Sequence, residues 1–242
     1  GEANTTGLYN VSVGSDALQA NTTASNNTAV GYQAGYSNTT ASSSTAVGYS
    51  ALYANTTGPS NNAFGRNALN SNTTGHSNSA FGADLPGVVA GAALQANTTG
   101  IRNSAFGGSA LATNTTGGSN VAIGGAALHL NTTASNNTAV GYQSMYSNTT
   151  GSDQTAIGYQ SLTTNTTGNY NSAIGRFALK SNTTGSDNSA LGLNSLEKNT
   201  TGSINTGLGR SALENNTTGQ QNTAVGKGAL LSNSTSSYNT AI

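Results

Sequence analysis

Few side chains in this sequence could do chemistry, and their spacing argues against each chemistry in turn. Glu197 and Glu214 lie seventeen residues apart, and a pair of carboxylates is what glycoside hydrolysis requires. Lys180 stands seventeen residues before Glu197, so the three read as a solvated charge column instead. The two histidines, His76 and His129, fall in separate segments with no second ligand type beside them, which gives no zinc site. Calcium-binding repeats need carboxylates at their bends, and these bends carry Asn and Gly. No nucleophile is paired with a base. The reading is non-enzymatic, with no cofactor and no metal.

Two residue sets point to binding or modification. Arg66, Arg176, Arg210 and Lys227 share one repeat position with Tyr32, Tyr49, Tyr142 and Tyr159. Exposed Tyr and Arg bind carbohydrate or a partner; the alternative is that they only stack on one another. The second set is asparagine. Asn-Thr-Thr begins at Asn4, Asn21, Asn38, Asn55, Asn72, Asn97, Asn114, Asn131, Asn148, Asn165, Asn182, Asn199 and Asn216, with the variant Asn233-Ser234-Thr235. Each triplet is an N-glycosylation acceptor, as are Asn10, Asn26, Asn136 and Asn215 with the residues that follow them. Used as acceptors, they would form a dense sugar column on one face. Left bare, Asn, Thr and Gly simply make good bends.

What positions these residues is a period. Of the thirteen intervals between successive triplets, twelve are 17 residues and one, Asn72 to Asn97, is 25. A unit this short cannot bury an apolar face alone, so copies must stack. Composition agrees: only 6% of residues are charged and 6% aromatic, with neither Trp nor Cys. Net charge is zero, which supplies no electrostatic footprint for nucleic acid. No apolar run is long enough to enter a membrane.

Counted from the triplet's Asn as position 1, the unit reads N-T-T-G-x-x-N-T-A-V-G-Y-x-A-L-x-x. Positions 7 to 11, with β-branched residues at 8 and 10, predict a short strand. Positions 12 to 17, rich in Ala, Leu, Gln, Glu and Lys, predict a single helical turn, with a second strand as the competitor. The expected fold is mainly β, a parallel β-solenoid of about fourteen 17-residue coils. Position 10 is always apolar (Val30, Phe64, Ile157) and position 15 nearly always Leu (Leu52, Leu179). These two columns are expected to meet inside, with Gly35 as the exception at position 15, compensated by Tyr36. Position 11 is Gly (Gly31, Gly65, Gly158), which implies positive φ or a backbone approach too close for a Cβ. Alternation in a strand then places the small residues of positions 9 and 11 on a smooth outer surface, where another chain would pack. The Asn column at position 7 is expected to form an amide ladder.

Residues 1–242 read as one repeat array without a linker. The single insertion, 83–90, is expected on a surface bend, as a tolerated loop or as a contact knob built on Leu85, Pro86, Val88 and Val89. Both ends cut through a unit, which suggests either a window on a longer chain or a subunit that stacks end to end.

The motifs N-T-A-V-G, N-S-A-I-G and N-S-A-F-G resemble the head repeats of trimeric autotransporter adhesins. The fuller pattern N-T-A-V-G-Y-Q-A-L-x-S-N-T-T-G is similar to tandem arrays in bacterial surface proteins and phage tail fibres. The unit here is longer than the adhesin head repeat. This resemblance implies a left-handed β-roll in a trimer or filament of its own copies, a location at the cell surface or on a virion fibre, and contact with surface carbohydrate or a host receptor. The expected function is a structural and adhesive rod of an extracellular fibre. The alternative is a self-assembling, glycan-coated filament. Ice binding is disfavoured, because it needs two outward Thr columns and the two Thr of each triplet are adjacent, so that an extended segment presents only one.

Overall fold

The computed structural model describes residues 3–83 and 91–242. The candidate contact loop (Leu85, Pro86, Val88, Val89) therefore lies outside the described residues. The chain divides into two compact units, 1–126 and 127–242, and each is a parallel β-solenoid with one strand per coil. The first holds β1 (Val11–Val13), β2 (Thr28–Val30), β3 (Thr45–Val47), β4 (Asn62–Phe64), β5 (Ser79–Phe81), β6 (Ser104–Phe106) and β7 (Val121–Ile123). The second holds β8 (Thr138–Val140), β9 (Thr155–Ile157), β10 (Ser172–Ile174), β11 (Ser189–Leu191), β12 (Thr206–Leu208), β13 (Thr223–Val225) and β14 (Thr240–Ala241).

Within each unit, strands pair with their sequence neighbours and equivalent repeat positions lie side by side. Thr28, Ala29 and Val30 face Thr45, Ala46 and Val47; Ser172, Ala173 and Ile174 face Ser189, Ala190 and Leu191. The 25-residue interval does not disturb this, since β5 and β6 pair in the same register, with Ala80 opposite Ala105. The insertion is thus accommodated without a slip.

The second half of each coil is neither the helical turn nor the second strand that its composition predicts. It is a chain of turns with residues at positive φ in alternation, non-glycine in most coils: Gln33 and Gly35, Ser50 and Leu52, Phe177 and Leu179. Its backbone groups bond the next coil instead of residue i+4: Leu52 N–H donates to Ala68 C=O at 3.0 Å and Ala54 N–H to Asn70 C=O at 2.9 Å. Helix propensity loses here because every coil already has a neighbour waiting for its donors and acceptors. A left-handed L-residue is disfavoured by roughly 1–2 kcal/mol, and burial of Leu52 and Leu179 together with the inter-coil bonds offsets this.

The interior is correspondingly thin and partly polar. Leu69, Leu94, Leu111, Leu162, Leu179 and Leu196 have no exposed surface, and neither do Ala29, Ala63, Ala156 and Ala173 at position 9. At Gly35, where position 15 lacks a side chain, the space is taken by Leu18, whose Cδ2 lies 3.1 Å from where a Cβ would be. Tyr36, expected to compensate, stacks instead on Tyr53 at position 16.

The strand faces the opposite way from the sequence expectation. Position 9 points inward and position 10 outward: Ala29 is fully buried, whereas Val30 and Phe64 are only half-buried and Ile157 is 39% exposed. The reason is room. A Cβ built on Gly207, at position 9, lies 3.4 Å from Leu196 Cγ, so the strand's inner side abuts the leucine column and admits nothing larger than a methyl. Small residues are therefore the core on this wall, and branched ones stand outside. Gly31 meets both conditions that its column suggested. Its φ is +132°, and an added Cβ would lie 2.6 Å from the Gly48 carbonyl oxygen. Gly65 and Gly158 follow suit at φ +126° and +138°.

Candidate functional site

Three side-chain columns carry the chemistry that these coils present. The first is the outer strand face. Position 8 contributes Thr28, Thr45, Ser79 and Ser104 in the first unit, and position 10 contributes Val30, Val47, Phe81 and Phe106 beside them. Phe64 stacks on Phe81 at 4.5 Å and Phe81 on Phe106 at 4.8 Å between centroids, with planes within 8°. In the second unit Thr155, Ser172, Ser189 and Thr206 flank Ile157, Ile174, Leu191 and Leu208. A shallow depression of about 240 Å³ opens there around Ile174, Leu191 and Leu208. No position of this face carries a charge.

The second column is position 12. Tyr32 stacks on Tyr49 at 5.2 Å, and the Arg66 guanidinium lies 5.7 Å from the Tyr49 ring centroid. Tyr142 stacks on Tyr159 at 5.6 Å, and Arg176 lies 5.8 Å from Tyr159 and 4.5 Å from Phe177. Phe177 was not legible as part of this group, because its neighbours at position 13 are polar (Gln160, Asn194). Lys180 also turns its ammonium to Phe177, at 4.4 Å, rather than completing a ladder with Glu197 and Glu214.

The third column comprises the asparagines, and the structure divides the sequence-predicted acceptors. Asn38, Asn55, Asn72, Asn148, Asn165, Asn182 and Asn199 are buried. Each Nδ2 donates to the preceding Asn Oδ1 and to a carbonyl three residues on; for Asn182 these are Asn165 at 2.8 Å and Gly185 at 2.9 Å. A sugar on Nδ2 and this ladder exclude each other, since glycosylation consumes one of the two donated hydrogens and adds bulk inside the coil. Asn4, Asn26 and Asn136 are exposed. The expected position-7 ladder is present too, with Asn205 Nδ2 donating to Asn188 Oδ1 at 3.2 Å. Gln154 replaces one member and remains bonded, donating to Asn148 and accepting from Asn165 and Asn171.

No protein-family model, curated protein or solved structure matches this chain. The geometry above is therefore the ground for any functional reading.

The remaining sequence candidates stay apart. His129 is buried and stacks on Tyr146 at 5.1 Å, while His76 Nδ1 lies 3.2 Å from Ser77 Oγ. Among the described residues no three His, Cys, Asp or Glu side chains gather around a common point, and no helix is long and apolar enough to cross a membrane. Of the adjacent threonines, Thr22 is half-buried and donates its hydroxyl to Thr39 C=O at 3.1 Å, while Thr23 is exposed.

Proposed function

We propose that this chain is a non-enzymatic structural and adhesive rod module of an extracellular fibre, and that its copies associate side by side through the outer strand face. The observation that carries the reading is that face: an uncharged column of Val, Ile, Leu and Phe standing outside the core on a regular parallel sheet. Contiguous exposed apolar surface of this kind favours association, because burying it releases about 25 cal/mol per Å². The earlier reason for expecting a multimer, a smooth Ala and Gly exterior, does not apply, since those alanines are inside. The resemblance to adhesin head repeats supports the same assembly. The glycan-coated filament has less support, because its acceptor column is the buried ladder.

Sedimentation velocity tests the proposal. The wild-type chain should sediment as a defined oligomer or filament, and a variant with Ile157, Ile174 and Leu191 all changed to Lys should sediment as a folded monomer. A monomeric wild type at micromolar concentration would refute side-by-side assembly.

Ice binding gains one specific observation. The strand face sets a hydroxyl column beside a branched aliphatic one in register, which the adjacent threonines of the triplet do not. Thermal hysteresis from a monomeric chain, lost on Ile174→Lys, would place that reading first.

A further inference from the structure

Each unit repeats one exposed arrangement that coil stacking alone does not demand. Three successive coils bring tyrosine, tyrosine and arginine together at position 12, as Tyr32, Tyr49 and Arg66 in the first unit and Tyr142, Tyr159 and Arg176 in the second. The four rings remain between 44% (Tyr32) and 51% (Tyr49) exposed, and both arginines are exposed. The tyrosine hydroxyls make no hydrogen bond to another described residue. Position 13 adds carboxamides alongside, and Gln160 Nε2 donates to Gln143 Oε1 at 2.8 Å.

The chemistry of this column selects a ligand class. Rings stacked on one another present edges and hydroxyls, so they suit a ligand with many hydroxyls and short C–H surfaces. A guanidinium held over an aromatic ring keeps its planar donor fork for a carboxylate, which it binds bidentately. Nucleic acid is a poor fit: the chain has no net positive charge, and phosphate-backbone affinity comes from neutralising many phosphates. A neutral sugar leaves the arginine without a function. We propose that each Tyr-Tyr-Arg column binds an acidic polysaccharide, with the arginine taking a uronate carboxylate and the phenols and carboxamides taking ring hydroxyls. One shallow site is weak, and its repetition raises avidity for a polymer. The proposal rests on the adhesive reading and uses a different column from the association face.

Tyrosine emission provides the assay, because the chain has ten Tyr and no Trp. Oligogalacturonate should quench it saturably, and a neutral maltooligosaccharide of equal length should not. Arg66→Ala with Arg176→Ala should weaken binding by about tenfold or more, the worth of a hydrogen bond to a charged group. Arg66→Lys with Arg176→Lys should recover only part of it. Tyr49→Ala with Tyr159→Ala should abolish binding, and thermal melts verify that each variant folds; the lysine pair carries the test if the alanine variants do not. Absence of saturable quenching, or equal affinity in the arginine variants, would overturn the proposal. Retained glycan binding by a chain that fails to self-associate would count against the assembly face alone.

Discussion

The Ser195 hydroxyl donates to the Gly207 carbonyl at 2.8 Å and occupies the place an alanine methyl at 207 would need, 2.6 Å from that position. Neighbouring strands carry Ala190 and Ala224 at the same register. A serine where most coils have alanine and a glycine where the neighbours have alanine thus form one packing unit across two coils.

This pair makes a sharp prediction. Gly207→Ala alone should destabilise the chain by about 1–3 kcal/mol through overpacking, visible as a lower urea midpoint. In a Ser195→Ala background the same substitution should be close to neutral, giving a coupling of about 1 kcal/mol or more. Additive effects would mean that the two sites are independent.

The inverted strand face predicts unequal costs for two apolar truncations in one coil. Leu179→Ala, at a fully buried site, should lose about 2–5 kcal/mol. Ile174→Ala, 39% exposed, should lose less than about 1 kcal/mol in the monomer. Melting both at low protein concentration checks this, and a larger loss at Ile174 would put that side chain back in the core.

Removing one rung of the buried amide ladder should be costly out of proportion to its size. Asn182→Ala leaves Asn165 Oδ1 and one Asn199 Nδ2 hydrogen without a partner, while the Gly185 carbonyl keeps its bond from Asn171 Nδ2. At about 1–3 kcal/mol for each of these two buried unpaired groups, the total should exceed about 2 kcal/mol. Thr184→Ala, two residues on and exposed, should stay within about 0.5 kcal/mol. Comparable melts for the two variants would refute the ladder.

Expression in a host that glycosylates secreted proteins should sort the acceptors by burial. Glycopeptide mass spectrometry should find sugar at exposed sites such as Asn26 and Asn136 and none at Asn55, Asn165 or Asn182 in the folded protein. Folded chains modified at the ladder sites would contradict the bonding described for them.

Much of this architecture is legible without coordinates, because a period is a one-dimensional property. The return of Asn-Thr-Thr dictates equal coils; the β-branched pair around Ala29 dictates a strand; Leu52 and Leu179 are buried as their column predicts. Gly31 announces a special backbone. The tyrosine and arginine column is likewise visible as spacing alone, since stacking places equal positions over one another.

The tertiary structure decided which way the strand faces and what the remainder of the coil does. Alternation tells which residues share a side, not which side is inner, and both faces of N-T-A-V-G contain plausible core residues. Only the distance across the coil, set by the leucine column opposite Ala29 and Gly207, excludes the branched side chains. Likewise, local propensity at Gln33, Leu52 and Phe177 favours a helical turn, but propensity counts a residue's own segment. The stack supplies hydrogen-bond partners from the next coil, and that non-local term holds those residues in the left-handed region.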